Sequence, residues 1–168
     1  ALVTGGAGFI GSHLVKRLLD LGSEVYVTDN FCRGKEENIE PFSDRIHLYR
    51  VDLTRIENCL LATKGIDYVF HLAASVGGIH YIKKENVEGS TPSLLMNTNM
   101  LEAARINDVE RFLLASSACV YREKSPELNN FKEEDAYPAN PPTTYGWAKL
   151  MGEIQCRSYH LDYGIKCS

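Results

Sequence analysis

"TGGAGFIGSHL", residues Thr4 to Leu14, follows the short apolar run Ala1–Thr4 and opens a pattern of helical spacing. It contains Gly6-x-Gly8-x-x-Gly11, with Gly5 in addition. Glycine lets a backbone turn sharply and come close to a pyrophosphate. The helix that follows offers unbonded N–H groups and a partial positive charge to the phosphates. Gly5, Gly8, Phe9, Ile10 and Gly11 are therefore candidate cofactor-facing positions. The spacing alone is common; the strand–turn–helix setting gives it weight. Asp29 falls 18 residues after Gly11, at the end of the β-branched and aromatic run Glu24–Asp29. A carboxylate there can accept hydrogen bonds from the adenosine ribose hydroxyls and would repel a 2′-phosphate. Asp29 and Asn30 thus point to NAD, with Arg33 and Lys35 read as a solvated loop face.

Outward from this turn the chain alternates strand and helix. Further strands are expected at Ile46–Val51, Tyr68–Ala73 and Arg111–Ala115. Phe9–Leu21 carries Phe9, Ile10, Leu14, Leu18 and Leu21 at helical spacing, closed by Gly22. Arg55–Ala62, Ser93–Asn107 and Thr143–Tyr163 complete the expected helices, the last ended by Gly164. Phe31–Asp44 reads as a polar loop, and Glu123–Pro142 as an irregular stretch holding four of the six prolines. Such alternation predicts an α/β fold, a doubly wound parallel sheet of the Rossmann kind, with ligands at the carboxyl ends of the strands. Residues 1–168 are expected to form one NAD-binding domain. The strand-like openings and endings, "ALVTGG" and "YGIKCS", predict a chain cut before a C-terminal substrate-binding part.

Composition narrows the function classes. The 168 residues are 44% hydrophobic and 24% charged, with a net charge of −4, ordinary for a globular protein and unsuited to nucleic acid or an anionic membrane surface. No run of 18 apolar residues predicts a membrane span, and the first residues do not read as a signal peptide. Cys32, Cys59, Cys119, Cys156 and Cys167 are odd in number and form no C-x-x-C, which argues against a disulfide framework or zinc ribbon. A cytoplasmic location and no metal are expected.

"YGWAK" places Tyr145 and Lys149 at i and i+4, on one face of the final helix. Phenol is a poor base at neutral pH, with an ordinary pKa of about 10. A nearby ammonium is expected to stabilise the phenolate and lower that value, so that tyrosine can exchange a proton with a substrate hydroxyl. The pair alone is a weak signal, since surface helices often carry one.

The ordered set is more specific. "TGGAGFIG", the ribose acid Asp29, Asp52-Leu53 after the third strand, "HLAA" (His71–Ala74) after the fourth, Ser116-Ser117 after the fifth, and "YGWAK" resemble the extended short-chain dehydrogenase/reductase superfamily. Its nucleotide-sugar epimerases and dehydratases are the more similar members, and the resemblance spans the chain. It implies adenine contacts from Asp52 and Leu53, and a path along pyrophosphate and ribose for Leu72, Ala73 and Ala74. It implies a sugar-hydroxyl contact from Ser117, acid–base work by Tyr145, and a nicotinamide-ribose contact from Lys149. His71 reads as a satisfied strand histidine. A homodimer through the helices at Ser93–Asn107 and Thr143–Tyr163 is also implied.

Dehydratases of this superfamily carry an Asp-Glu pair where this chain has Ala118 and Cys119, which disfavours dehydration. Ser117-x-Cys119 resembles the GDP-mannose 3,5-epimerases and GDP-fucose synthases, in which the cysteine moves a proton next to a carbonyl. "VGGI" (Val76–Ile79), with Gly77 and Gly78 as candidate substrate contacts, resembles the same group. "DNFCRGKEEN" (Asp29–Asn38) instead resembles the loop of UDP-sugar 4-epimerases. The expectation is an NAD-dependent nucleotide-sugar epimerase working through a transient 4-keto sugar, inclined to 3,5-epimerisation. A UDP-sugar 4-epimerase and a dinucleotide-binding module without catalysis are the alternatives.

Overall fold

A computed structural model describes residues 1–77, 87–122 and 131–168. Six strands form one parallel sheet: β1 (Leu2–Thr4), β2 (Val25–Asp29), β3 (Ile46–Arg50), β4 (Tyr68–His71), β5 (Arg111–Leu114) and β6 (Lys166–Cys167). Their order across the sheet is β3-β2-β1-β4-β5-β6. The order reverses at β1, where Leu2–Thr4 pairs with Tyr26–Thr28 on one side and with Val69–His71 on the other. Among the described residues four α-helices flank the sheet: α1 (Phe9–Asp20), α2 (Ile56–Thr63), α3 (Val87–Ile106) and α4 (Thr144–Tyr163).

Strand alternation splits the core into two layers. Leu2, Val69 and Phe112 join Met100, Leu101 and Cys156 beneath α2, α3 and α4. Val3, Val25 and Val27 join Val15, Leu18 and Leu19 beneath α1. Sequestering a side chain the size of Phe112 contributes about 1.5–3 kcal/mol relative to exposure. Both faces of the central strands are covered, as a doubly wound sheet requires.

Two expected elements differ in detail. Helix α1 buries Val15, Leu18 and Leu19, whereas Phe9 and Ile10 are 78% and 69% exposed and Leu21 is exposed as well. The apolar residues nearest the turn therefore belong to the rim of the sheet, not to the core. Helix α3 begins by Val87, six residues before the expected start, and carries Pro92 within it. Proline has no N–H, so the Glu88 carbonyl four residues back loses its usual helical donor. The Ser75 hydroxyl donates to that carbonyl at 2.8 Å. A local breaker is thereby compensated by a contact from the segment after β4. The polar loop after β2 folds into two short 3₁₀ turns, Glu36–Asn38 and Glu40–Arg45. No helix among the described residues is long and apolar enough to cross a membrane.

Candidate functional site

Gly5, Asp29, Asp52, Leu72 and Ser117 each lie at or just past the carboxyl end of a strand. The turn after β1 is held by backbone bonds: Gly5 N–H donates to the Thr28 carbonyl at 2.7 Å, and Gly8 N–H to the Gly5 carbonyl at 3.0 Å. Gly5 has φ +67°, and a Cβ there would lie 3.0 Å from the Ala73 nitrogen. A Cβ on Gly11 would overlap the Gly5 carbonyl, so this glycine serves the packing of α1 against the turn. Gly8 caps α1 with no side-chain bond, which leaves the first N–H groups of the helix to an outside acceptor.

Asp29 is buried, and its carboxylate closes the loop. It accepts from Ala7 N–H at 3.0 Å and from Phe31 N–H at 2.8 Å. Gly34 packs on the same carboxylate so closely that a Cβ would stand 2.7 Å from it. The Asn38 side chain donates to the Ala7 carbonyl at 2.7 Å, and Lys35 N–H to the same oxygen at 3.1 Å. Arg33 and Lys35 are both exposed, but Arg33 also lines the cavity described next and so is not a purely solvated loop residue. Asn30 accepts from Cys32 N–H, and Asp52 from Thr54, each forming a local turn.

A cavity of about 570 Å³ runs between these groups. Gly5, Gly8, Asp29, Asn30, Asp52, Leu53, Leu72, Ala73, Ala74 and Gly34 are on its wall; Phe9, Ile10 and Gly11 are not. Thr28 Oγ1, buried on the same wall, has no hydrogen-bond partner among the described residues. Bare glycine backbone, a free helix N-terminus and a ribose-height carboxylate in one elongated cavity fit a dinucleotide. Gly77 lies just past the cavity's Val76, and Gly78 falls outside the described residues.

Behind the cavity runs a buried polar chain. Ala73 N–H donates to Thr4 Oγ1 at 3.1 Å, and Thr4 Oγ1 lies 2.8 Å from His71 Nδ1. On the other side of the ring, Nε2 lies 3.1 Å from Asn97 Oδ1. The amide oxygen can only accept, so Nε2 carries the proton and Nδ1 accepts from Thr4. Burial, then the neighbouring Lys149 charge, pushes the His71 pKa down to about 3, and the ring is neutral at ordinary pH. His71 is fully buried and bonded on both nitrogens, a structural residue as its place in the sequence suggests.

The second half of the edge is built from side chains. Ser117 caps a short 3₁₀ turn, Ala118–Val120, by accepting from Cys119 N–H at 3.1 Å. Its side chain also stands close enough to the Tyr145 side chain to pull the phenol's pKa down. Thr143 caps α4 by accepting from Gly146 N–H, which places Tyr145 in the first turn, beside Ser117. Lys149, 2% exposed, donates to the Ala115 carbonyl at 2.7 Å, and its Nζ stands 5.9 Å from the centre of the Tyr145 ring. Burial lowers the Lys149 pKa to about 8. The Tyr145 pKa, however, is raised: burial of the phenol and the nearby Cys119 outweigh the effect of Ser117. The expected lowering by Lys149 does not appear in the chain alone: burial of the phenol dominates, and the ammonium bonds the Ala115 carbonyl rather than the phenol oxygen. Ser117, Cys119, Tyr145 and Lys149 nevertheless converge on one edge, as their order in the sequence implies. Ser117 also lines a larger cavity of about 820 Å³ between the 3₁₀ turns, α4 and β6.

Sequence reasoning passed over Gly34 and Asn38, which the loop pattern hid, and Asn97, a polar residue on a buried helix face. It also passed over Gly146 and Glu153, both of which touch the turn after β5. The spacing of Gly146 and Glu153 about Lys149, at −3 and +4 on one helix face, was the available signal.

Comparison with known proteins gives a consistent result. A family model described as the NAD dependent epimerase/dehydratase family matches residues 1–168. The chain is 43% identical over 168 residues to a GDP-mannose 3,5-epimerase of Arabidopsis thaliana, covering 98% of this chain and 44% of that protein. It is 35% identical over 169 residues to UDP-glucuronic acid decarboxylase 1 of the same plant, covering 98% and 37%. Among solved structures, UDP-glucose 4-epimerase of Thermus thermophilus in complex with NAD superposes with a TM-score of 0.85 at 35% identity, over 99% of this chain and 52% of that one. The chain thus spans about half the length of these relatives or less.

Proposed function

The chain belongs to the NAD-dependent epimerase/dehydratase family, and from that premise we propose that residues 1–168 are the NAD-binding domain of a nucleotide-sugar epimerase that works through a transient 4-keto sugar, with 3,5-epimerisation of a GDP-sugar as its reaction. The observation that carries this reading is the convergence of Ser117, Cys119, Tyr145 and Lys149 past the carboxyl end of β5, on the same sheet edge as the dinucleotide-shaped cavity. The 43% identity to a GDP-mannose 3,5-epimerase inclines the choice of sugar.

Bound NAD would supply reversible two-electron oxidation of the sugar at C4. Gly5 and Gly8, at the α1 N-terminus, would hold its pyrophosphate, and Asp29 and Asn30 its adenosine ribose. Asp52 and Leu53 flank the adenine, and Leu72, Ala73 and Ala74 the rest of its length. Ser117 holds the C4 hydroxyl against Tyr145. Tyr145 takes the hydroxyl proton as C4 becomes a ketone and returns it when the alcohol is restored. Lys149 holds the nicotinamide ribose, and its ammonium, near its own pKa of about 8, keeps positive charge close to the developing phenolate. The ketone acidifies the C–H bonds at C3 and C5. Cys119 removes one of those protons, and a second donor of the full-length protein returns one to the opposite face. Gly77, past the end of the cofactor cavity, borders the sugar.

Incubating the full-length protein with GDP-mannose in D₂O tests this directly. Deuterium entering C3 or C5, and little of it in a Cys119→Ser variant, is the expected outcome. Turnover of a UDP-sugar at C4 with no exchange at C3 or C5 would replace this reading with 4-epimerisation, which the 35% identity to a UDP-glucose 4-epimerase favours. NAD binding without turnover of any nucleotide sugar would leave the non-catalytic module.

Trp147, Met151 and Ile154 form an exposed apolar stripe along α4, at i, i+4 and i+7. A homodimer of the full-length protein through this stripe is the assembly it fits, read by the mass of the protein in sedimentation.

A further inference from the structure

Three successive turns of α4 each fasten one residue of the segment Ala115–Cys119. Gly146 lies against the Cys119 carbonyl so closely that a Cβ would overlap its oxygen. One turn on, Lys149 donates to the Ala115 carbonyl at 2.7 Å. One turn further, the Glu153 carboxylate accepts from the Ser116 hydroxyl. The first two contacts fix the ends of the segment, and the third fixes the residue immediately before Ser117.

The Ser116 side chain is exposed, so water could satisfy its hydroxyl without help from the protein. Its bond to Glu153 therefore does little for burial and much for direction. Ser117 follows directly in extended backbone (φ −154°, ψ 149°), so the anchored Ser116 sets the point from which Ser117 enters the turn. Ser117 in turn accepts from the Cys119 N–H and stands beside the Tyr145 side chain. Glu153 thus stands at the head of a line of contacts that runs through Ser116 and Ser117 to the Cys119 backbone, with the Tyr145 side chain alongside.

We infer that Glu153 is a positioning residue, which by holding Ser116 sets the orientation in which Ser117 and Cys119 face Tyr145. The kinetic consequence rests on the epimerase reading above; the structural consequence does not. The contact needs only an acceptor oxygen, so glutamine can replace glutamate.

The test uses Glu153→Ala, Glu153→Gln and Ser116→Ala in the full-length protein, with GDP-mannose as substrate and amide hydrogen exchange over residues 115–121 as a second readout. Glu153→Ala should lower kcat by about 10–100-fold while KM changes by less than about threefold, since misplacement of reacting groups acts on the chemical step. Glu153→Gln should stay within about threefold of the parent. Ser116→Ala should match Glu153→Ala, and the double variant should be no worse than either single one. Exchange should quicken in both alanine variants and return to normal in Glu153→Gln. Parent-like kcat and exchange in Glu153→Ala would overturn the inference. So would a glutamine variant as impaired as alanine, or effects that multiply in the double variant. If the parent turns over no nucleotide sugar, the epimerase reading falls, and the exchange comparison alone decides whether Glu153 orients the segment.

Discussion

The turn after β1 and the turn after β5 occupy matching places at the carboxyl edge of the sheet, yet they are built from different materials. The first is nearly all backbone: Gly5, Gly8 and Gly11 leave room, and peptide groups make the bonds. The second is held by side chains: Glu153 bonds Ser116, Lys149 bonds the Ala115 carbonyl, and Ser117 bonds the Cys119 N–H beside Tyr145. A backbone site is damaged by adding atoms, and a side-chain site by removing them. The two turns should therefore fail in opposite ways.

Removing the Tyr145 hydroxyl is the severest test of the second turn. Tyr145→Phe in the full-length protein is expected to lower turnover by about 10²–10⁴-fold with cofactor affinity nearly unchanged, as read by steady-state kinetics beside NAD titration. Loss of NAD binding in this variant would mean that the two turns are not separable. Adding one methyl at Gly11 is the corresponding test of the first. Gly11→Ala must displace the Gly5 carbonyl or Gly6, and should cost about 1–3 kcal/mol of stability in urea unfolding, with NAD affinity falling in parallel. A Gly11→Ala variant as stable as the parent would show that the turn yields more readily than its contacts imply.

The smallest effect concerns the chain of bonds that lies between the two turns. His71 has its pKa lowered from 6.5 to about 3 by burial, so the unfolded chain takes up a proton on this ring at a pH where the folded chain does not. Stability from this group is complete above pH 6.5 and is lost as the pH falls from there towards 3. Between pH 7 and pH 5 the loss is about 2 kcal/mol. Urea midpoints at the two pH values should show it, and a His71→Gln variant should show less of the pH dependence. An unchanged slope in that variant would place the acid sensitivity elsewhere.

The same contrast explains what could be read in advance. The first turn was legible because a backbone site leaves its trace as glycine spacing, and because Asp29 must follow at the end of β2. The parallel sheet with helices on both faces followed from the alternation of elements, whereas the strand order and the pairing of β1 with both β2 and β4 are set by long-range contacts that alternation does not specify. The second turn was legible only through its ordered residue types, Ser117, Tyr145 and Lys149. What positions them, Gly146 and Glu153, is a matter of helix register against a distant turn, 37 residues earlier in the case of Glu153 and Ser116. The direction of the Tyr145 shift was misjudged for a related reason. Spacing on a helix shows that Lys149 is near, but not that its ammonium is committed to the Ala115 carbonyl. The exposure of Phe9 and Ile10 was missed because helical periodicity does not reveal which part of a helix rises above the sheet.

Pro92 has a consequence for the order of events in folding. A helix whose bonds are all internal can form its turns on its own, within a few residues of chain. The carbonyl of Glu88 instead draws a donor from Ser75, 13 residues earlier, and Ser75 N–H bonds Ser93 Oγ, 18 residues later. The start of α3 is therefore completed only when the segment after β4 has come to rest against it, so loop closure precedes the reward of the bond. The proline exchanges a bond the helix could make early for one that reports the arrival of the neighbouring strand. It makes the entrance of α3 and the wall of the cofactor cavity fold as one cooperative unit.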